Sequence, residues 1–257
     1  MHKGHADIMQ ILLALAVISA EIHTARIHVL NLRHRRDRLA SIVDLLSNAS
    51  LPPTWDMDVH RVDAVTPRGT QGMQAYPHWR MQNSHNRYGR FWSRPVTHGE
   101  LACFASHIRA LHGVINEPAA MSMVLEDDAT FDPATFIDKA LQTQRAVQLA
   151  DPQWDVIMLG YVNMDNRTRD TGMGYSTLGY TYQTHAYLVS PTGARKIAEE
   201  RDWRRDVTAF DEYLAGASGD HPRTDMNNLY GSHLRRYGAT EQLASQARND
   251  NWHDTEL

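Results

Sequence analysis

Apolar and polar positions change period repeatedly along this chain, and the changes mark out strands alternating with helices. From Arg26 to Leu32 the apolar residues run almost without interruption, as in a buried strand, before an arginine-rich turn from Arg33 to Arg38. A helix is expected from Asp37 to about Ser47. After Pro52-Pro53 the alternation at Val59, Arg61, Val62 and Asp63 predicts a second short strand. Leu101, Phe104, Ala105, Ile108, Leu111 and Ile115 recur at helical spacing, so Glu100 to Ile115 should form a helix with one buried face. Met121 to Leu125 reads as a strand that stops abruptly at Glu126-Asp127-Asp128. Asp132 and Pro133 then fit the N-cap and first position of a helix reaching about Leu149. A strand at Asp155 to Leu159, a flexible loop at Gly172 to Gly179, a strand at Thr184 to Ser190 and a helix at Thr192 to Glu200 continue the series. Such alternation predicts an α/β sandwich with a mostly parallel central sheet flanked by helices.

Two stretches stand apart. Ile8 to Ala20 is apolar but too short to span a bilayer as a helix. We read residues 1–25 as an N-terminal segment whose apolar part packs on the domain. The alternative is a signal peptide cleaved after Ala20, which Asp7 and the weakly basic start disfavour. Thr66 to Pro95 has no periodicity and reads as a long loop, a kind of segment that often carries function.

Composition narrows the classes. The 257 residues suit one large domain, here residues 26–257, and 42% apolar with 22% charged residues is ordinary globular composition. A net charge of -4 argues against a protein that coats nucleic acid. Cys103 is the only cysteine, which excludes an intrachain disulfide and any cysteine-cluster metal site. Only Lys3, Lys139 and Lys196 are lysines, against 23 arginines, a bias that codon usage explains for most positions.

The sharpest chemical signal is Glu126-Asp127-Asp128 at the end of a buried strand, where open α/β sheets bind ligands. Adjacent carboxylates repel unless a cation neutralises them, and oxygen ligands of this kind suit Mg or Mn. Alternate residues of extended chain point the same way, so Glu126 and Asp128 could share a face. The bland alternative is a solvated acidic turn. Asp211-Glu212 reads either as the acidic first turn of a helix or as a general base and its neighbour. His107 and His185 lie inside apolar elements, where a satisfied core histidine is the ordinary reading. No Walker loop, nucleophile elbow or His-Glu-x-x-His helix is present in the sequence.

Taken in order, these segments resemble glycosyltransferase family 25, which contains lipooligosaccharide and procollagen galactosyltransferases. The matching blocks are IHVLNLRHRRDRL (Ile27 to Leu39), THGELACFASHIRAL (Thr97 to Leu111), MVLEDDATF (Met123 to Phe131), THAYLVSPTGARKI (Thr184 to Ile197) and FDEYLAGASGDHP (Phe210 to Pro222). The polar ending SQARNDNWHDTE is similar to the family's Ser-Gln motif. Thr66 to Pro95 and Asp202 to Ala209 follow none of its blocks and fall to the acceptor side.

The resemblance implies a GT-A type nucleotide-sugar-binding sandwich. It implies a hexosyltransferase that moves galactose or glucose from a UDP-sugar, with inversion, to an acceptor hydroxyl. Mn or Mg would be held by Asp128, with Glu126 as second candidate, and Asp211 would be the catalytic base with Glu212 behind it. Asn31, Arg35, Arg38, Asp63, Ser106, His107, Glu126 and Asp127 are expected near the donor nucleotide; His185 and His221 are weaker candidates for a further contact. The acceptor, a glycan, a hydroxylated protein side chain or another hydroxyl compound, stays open. The expected compartment is the cytoplasm, or a secretory lumen if the first residues are a signal peptide. Two readings from other classes compete: a metal-dependent phosphotransferase or nuclease using the acidic triplet, and a non-catalytic sugar-binding domain of the same fold.

Overall fold

A computed structural model of the chain describes residues 21–66, 96–199 and 207–247. The apolar stretch before Glu21, nearly all of the long loop before Val96, residues 200–206 and the chain after Ala247, with the expectations that fall on them, lie outside the described residues.

The elements follow in the order β1 (His23–Asn31), α1 (Arg36–Ser47), β2 (Trp55–Asp63), α2 (His98–Asn116), β3 (Met121–Glu126), β4 (Ala129–Phe131), α3 (Phe136–Ala150), β5 (Val156–Asn163), β6 (Arg169–Asp170), β7 (Ser176–Thr177), β8 (Thr181–Val189), α4 (Pro191–Glu199), α5 (Phe210–Ala217), α6 (Thr224–Tyr230), β9 (Arg236–Gly238) and β10 (Ala244–Gln246). Eight strands form one sheet in the order β2-β1-β3-β8-β5-β9-β7-β6, and β10 pairs with β4 in a separate two-stranded ribbon.

Period-2 alternation divides the core into two layers. Ala25, Ile27 and Val29 of β1, with Met123 and Leu125 of β3, face Ile42 and Leu46 of α1 and Ile137 and Leu141 of α3. Leu30, Val124, Met158 and Tyr187 face the other way, onto Phe104 and Ile108 of α2, Ile197 of α4 and Tyr213 of α5. The α/β sandwich is therefore as expected.

The sheet itself is mixed, not mostly parallel. β1 runs parallel to β2 and β3, and β5 parallel to β9, but β8 lies antiparallel between β3 and β5. Parallel neighbours need a long crossover, which α1 and α2 supply. Between β5 and β8 there is only the short β6–β7 excursion, so β8 comes back antiparallel. That excursion also replaces the expected flexible loop: Gly172 (φ 69°) and Gly174 (φ 88°) turn the chain in the left-handed region, and Ser176 and Thr177 pair with β6 and β9.

A second difference is the start of α3. Asp132 organises a turn before the helix, accepting the Ala134 N–H on Oδ1 at 3.1 Å and the Thr135 hydroxyl on Oδ2 at 2.9 Å, and Thr135 becomes the cap residue.

Because α1 covers one face of the sheet and α2 the other, the chain switches direction between β1 and β3. A crevice opens at such a switch point, beyond the carboxyl ends of the strands. Asn31 ends β1 there and Glu126 ends β3.

Candidate active site

β3 presents Glu126 at its last position, and the chain turns through Asp127 and Asp128 into β4. The three carboxylates meet three sets of partners. Thr184 Oγ1 of β8 donates to Glu126 Oε1 at 3.1 Å, and His107 Nε2 of α2 lies 3.3 Å from the same oxygen. Burial works to raise the Glu126 pKa, but the His107 hydrogen bond and charge, helped by His185 and Thr184, outweigh it and hold the group below its ordinary value. Asp127 accepts from Asn31 Nδ2 at 2.7 Å and from Arg38 at 3.2 Å; burial pushes its pKa up against both.

Asp128 accepts Gln246 Nε2 on Oδ2 at 3.1 Å, with Arg38 at 3.6 Å, and its Oδ1 is buried without a hydrogen-bond partner. Burial first, and then the Glu126 charge, push its pKa up to about 7. Strand geometry stops at Glu126, so the partners of Glu126 lie on α2 and β8 while those of Asp128 lie on α1 and β10. A buried orphan oxygen beside two further acids fits a hard divalent cation such as Mn or Mg. Among the described residues Asp128 belongs to no set of three donors close enough to hold an ion alone. Further ligands would come from water or from substrate phosphate, as is usual for Mg.

α5 carries Asp211 and Glu212 in its first turn. Asp211 Oδ1 accepts the Glu212 N–H at 2.9 Å and Oδ2 the Gln183 N–H at 3.2 Å. Burial and the neighbouring Glu212 push its pKa up to about 7. Glu212 is engaged differently. The Tyr180 hydroxyl lies 2.9 Å from both of its oxygens, and His221 Nε2 lies 2.5 Å from Oε2. His221 Nδ1 accepts the Arg223 N–H, which leaves the ring proton on Nε2 to be donated to Glu212.

A chain of hydrogen bonds joins the two acidic groups. Gln183 donates its N–H to Asp211; its side-chain amide reaches Gln246 Oε1 at 3.3 Å; Gln246 in turn donates to Asp128. Pairing of β10 with β4, and the Ala247 N–H on the Asp128 carbonyl at 2.7 Å, hold Gln246 in place. One end of the sheet thus carries a buried carboxylate on backbone amides, a second carboxylate with an open oxygen, and amide side chains between them.

The profile of Glycosyltransferase family 25 (LPS biosynthesis protein) matches residues 24–214. The chain belongs to glycosyltransferase family 25. It is 29% identical over 236 residues to the probable inactive glycosyltransferase 25 family member 3 of Bos taurus, covering 85% of this chain and 36% of that protein. Against procollagen galactosyltransferase 1-B of Xenopus laevis it is 27% identical over 229 residues, covering 84% of this chain and 35% of the relative. Against procollagen galactosyltransferase 2 of Mus musculus it is 25% identical, with 84% and 34% covered. The chain spans about a third of the length of these relatives.

The family 25 blocks divide between chemistry and scaffold. In the first block Asn31 is saturated: it donates to Asp127 and to the Arg35 carbonyl and accepts from Arg61. Arg38 reaches the acidic turn, whereas Arg35 pairs with Asp37. Asp63 ends β2 directly beside Asn31, 3.0 Å from Arg33 and 2.7 Å from Arg61, and Arg61 also donates to Asn31, so Asp63 is one step removed from the acidic turn.

In the second block Glu100 closes a capping box with Thr97 that starts α2. Ser106 is fully buried; it donates to the Ala102 carbonyl and accepts the Val65 N–H at 2.8 Å, so its hydroxyl pins the chain after β2. His107 is buried on the site's inner wall, stacked on Phe210 at 4.2 Å. His185 Nε2 donates to the Ala244 carbonyl of β10 at 3.2 Å, and reaches the acidic turn only through its charge on Glu126.

Gln183, Thr184, Tyr180 and Gln246 carry site contacts that sequence reasoning did not assign. Gln246 had a signal, the Ser-Gln motif; Gln183 had none, since its positive φ of 73° depends on the irregular pairing of β5 with β8.

Proposed function

We propose that this chain is an inverting, metal-dependent hexosyltransferase that moves galactose or glucose from a UDP-sugar to an acceptor hydroxyl. The observation that carries the reading is the hydrogen-bonded path from Asp211 through Gln183 and Gln246 to Asp128. It holds Asp211 and Asp128 in fixed relation at one end of the sheet, as a base and a cation-binding carboxylate would require.

Asp211 takes the proton of the acceptor hydroxyl. Two backbone N–H groups hold its carboxylate, and a pKa of about 7 suits a base working near neutrality. Glu212, held by His221 and Tyr180, stands beside Asp211 and adds to burial in raising its pKa. Asp128, completed by water or substrate phosphate, would hold Mn or Mg, which would supply neutralisation of charge on the departing diphosphate. Asn31 and Arg38 hold Asp127 in place in the acidic turn. Membership of family 25 and the procollagen galactosyltransferase relatives support hexosyl transfer, and the acceptor we infer is a glycan or hydroxylated side chain.

A second reading rests on the relative named probable inactive: a non-catalytic member that binds without transferring. The test is release of UDP from UDP-galactose and UDP-glucose, with Mn or Mg and with chelator, in wild type and Asp211→Asn. Metal-dependent release that the variant loses supports transfer; UDP binding with no release in either protein supports the non-catalytic reading.

A further inference from the structure

Behind the acidic turn lies a donor set of a different character. Cys103 and His107 are four residues apart on α2 and therefore share a face, and Glu126 ends the strand packed on that face. One donor atom from each, Sγ, an imidazole nitrogen and a carboxylate oxygen, lies within 4.8 Å of the other two. Among the described residues no other histidine, cysteine, aspartate or glutamate set does this. The oxygen-only chemistry assigned to Asp128 uses neither Cys103 nor His107.

We propose that Cys103 Sγ, His107 Nε2 and Glu126 form a second cation site, selective for a borderline-soft divalent ion of the zinc class over Mg. A thiolate, an imidazole and a carboxylate together match zinc, whereas Mg prefers oxygen alone. Donors on a tetrahedral zinc are roughly 3.3–3.8 Å apart, from metal–ligand lengths of about 2.0–2.3 Å. His107 Nε2 and Glu126 Oε1, at 3.3 Å, already meet that spacing, so only Cys103 must draw in.

The surroundings suit ligands. The Tyr187 hydroxyl lies 3.1 Å from His107 Nδ1, and Thr184 Oγ1 donates to Glu126 at 3.1 Å. Stacking on Phe210 fixes the plane of the imidazole. Partners of this kind orient metal ligands and set their basicity. Cys103 is partly buried as a residue, and His107 and Glu126 are buried.

Proton and charge balance are straightforward. Without an ion, His107 Nε2–H faces Glu126 and Nδ1 accepts from Tyr187. On binding, the ring proton resides on Nδ1 and Tyr187 becomes the acceptor, a change a hydroxyl permits. The Cys103 proton leaves to solvent. Ion, thiolate and carboxylate then sum to zero charge, as a buried site requires. Three protein ligands leave a fourth position for water.

The proposal does not rest on glycosyl transfer, because its readouts need no sugar donor. The chelator-treated full chain is titrated with Co, and a thiolate-to-cobalt charge-transfer band in the near ultraviolet is expected to saturate at one ion per chain. Cys103 is the sole cysteine, so the band has a single source. Stoichiometric Zn should abolish the band and slow labelling of the Cys103 thiol by a disulfide reagent at least tenfold, while Mg does neither. Tyr187→Phe should retain the band with affinity about 10- to 100-fold weaker. Cys103→Ser should lose it. Absence of the band with unchanged thiol labelling in wild type would overturn the site. Zn held as tightly by Cys103→Ser as by wild type would also overturn it, placing the ion on Asp128 instead. The labelling measurement needs no variant and stands if a substitution disturbs folding.

Discussion

Gln183 donates its backbone N–H to Asp211 Oδ2 at 3.2 Å while its own φ is 73°, a left-handed value near the start of β8. Left-handed backbone at a residue with a side chain costs about 1–2 kcal/mol. The irregular register between β5 and β8 imposes it, and its consequence is an amide aimed at a buried carboxylate. Strain of this kind is found where a site must hold one geometry.

Asp211→Asn keeps size and hydrogen-bonding surface but removes the proton acceptor. Turnover should fall by roughly 100- to 10,000-fold, the usual contribution of a positioned base. UDP binding, read by calorimetry, should stay within a few-fold of wild type. Near-normal turnover would reject Asp211 as the base.

The pH dependence follows from the same group. Asp211 is raised from 3.8 to about 7, so as the proposed base it would act only as pH rises towards and through about 7; kcat/KM should climb along an acidic limb there. For stability the sign is opposite. Between the unfolded value and about 7 the native state holds a proton that the unfolded state has lost, so this group makes stability fall as pH rises through that window. Urea unfolding of wild type and Asp211→Asn across the window should show a shallower decline in the variant; parallel curves would contradict the assignment.

Gln246 occupies one oxygen of Asp128 and accepts from Gln183. Gln246→Ala should weaken the apparent affinity for Mn by about 10- to 100-fold, the cost of removing a partner that orients a metal ligand. The check is the Mn concentration for half-maximal UDP release, at unchanged urea midpoint. A variant with wild-type Mn dependence would show the bridge to be incidental.

Gly193 tests a family block that is scaffold. Ser190 Oγ accepts the Gly193 N–H at 2.9 Å, and a β-carbon at Gly193 would stand 2.4 Å from the Asp155 carbonyl oxygen. Gly193→Ala should therefore destabilise by about 1–3 kcal/mol through overpacking. Urea unfolding measures it, and a shift below that range would mean α4 slides freely on β5. UDP release per folded molecule should be unchanged.

Several of these relationships were legible along the chain because they are local. The helical spacing of Leu101, Phe104 and Ile108 determined α2 and its buried face, and the continuous apolar run into Glu126 determined β3 and placed three carboxylates at a strand end. Ordered blocks were enough to determine the family. What only the tertiary structure decided was long-range: that β8 enters the sheet antiparallel, that Gln183 turns its amide on Asp211, that Gln246 folds back over Asp128 some 118 residues earlier, and that Cys103 and His107 face Glu126. Periodicity reports which side of an element is buried. It carries no information on which distant element does the burying, because strand order and register arise from packing between segments and not within them.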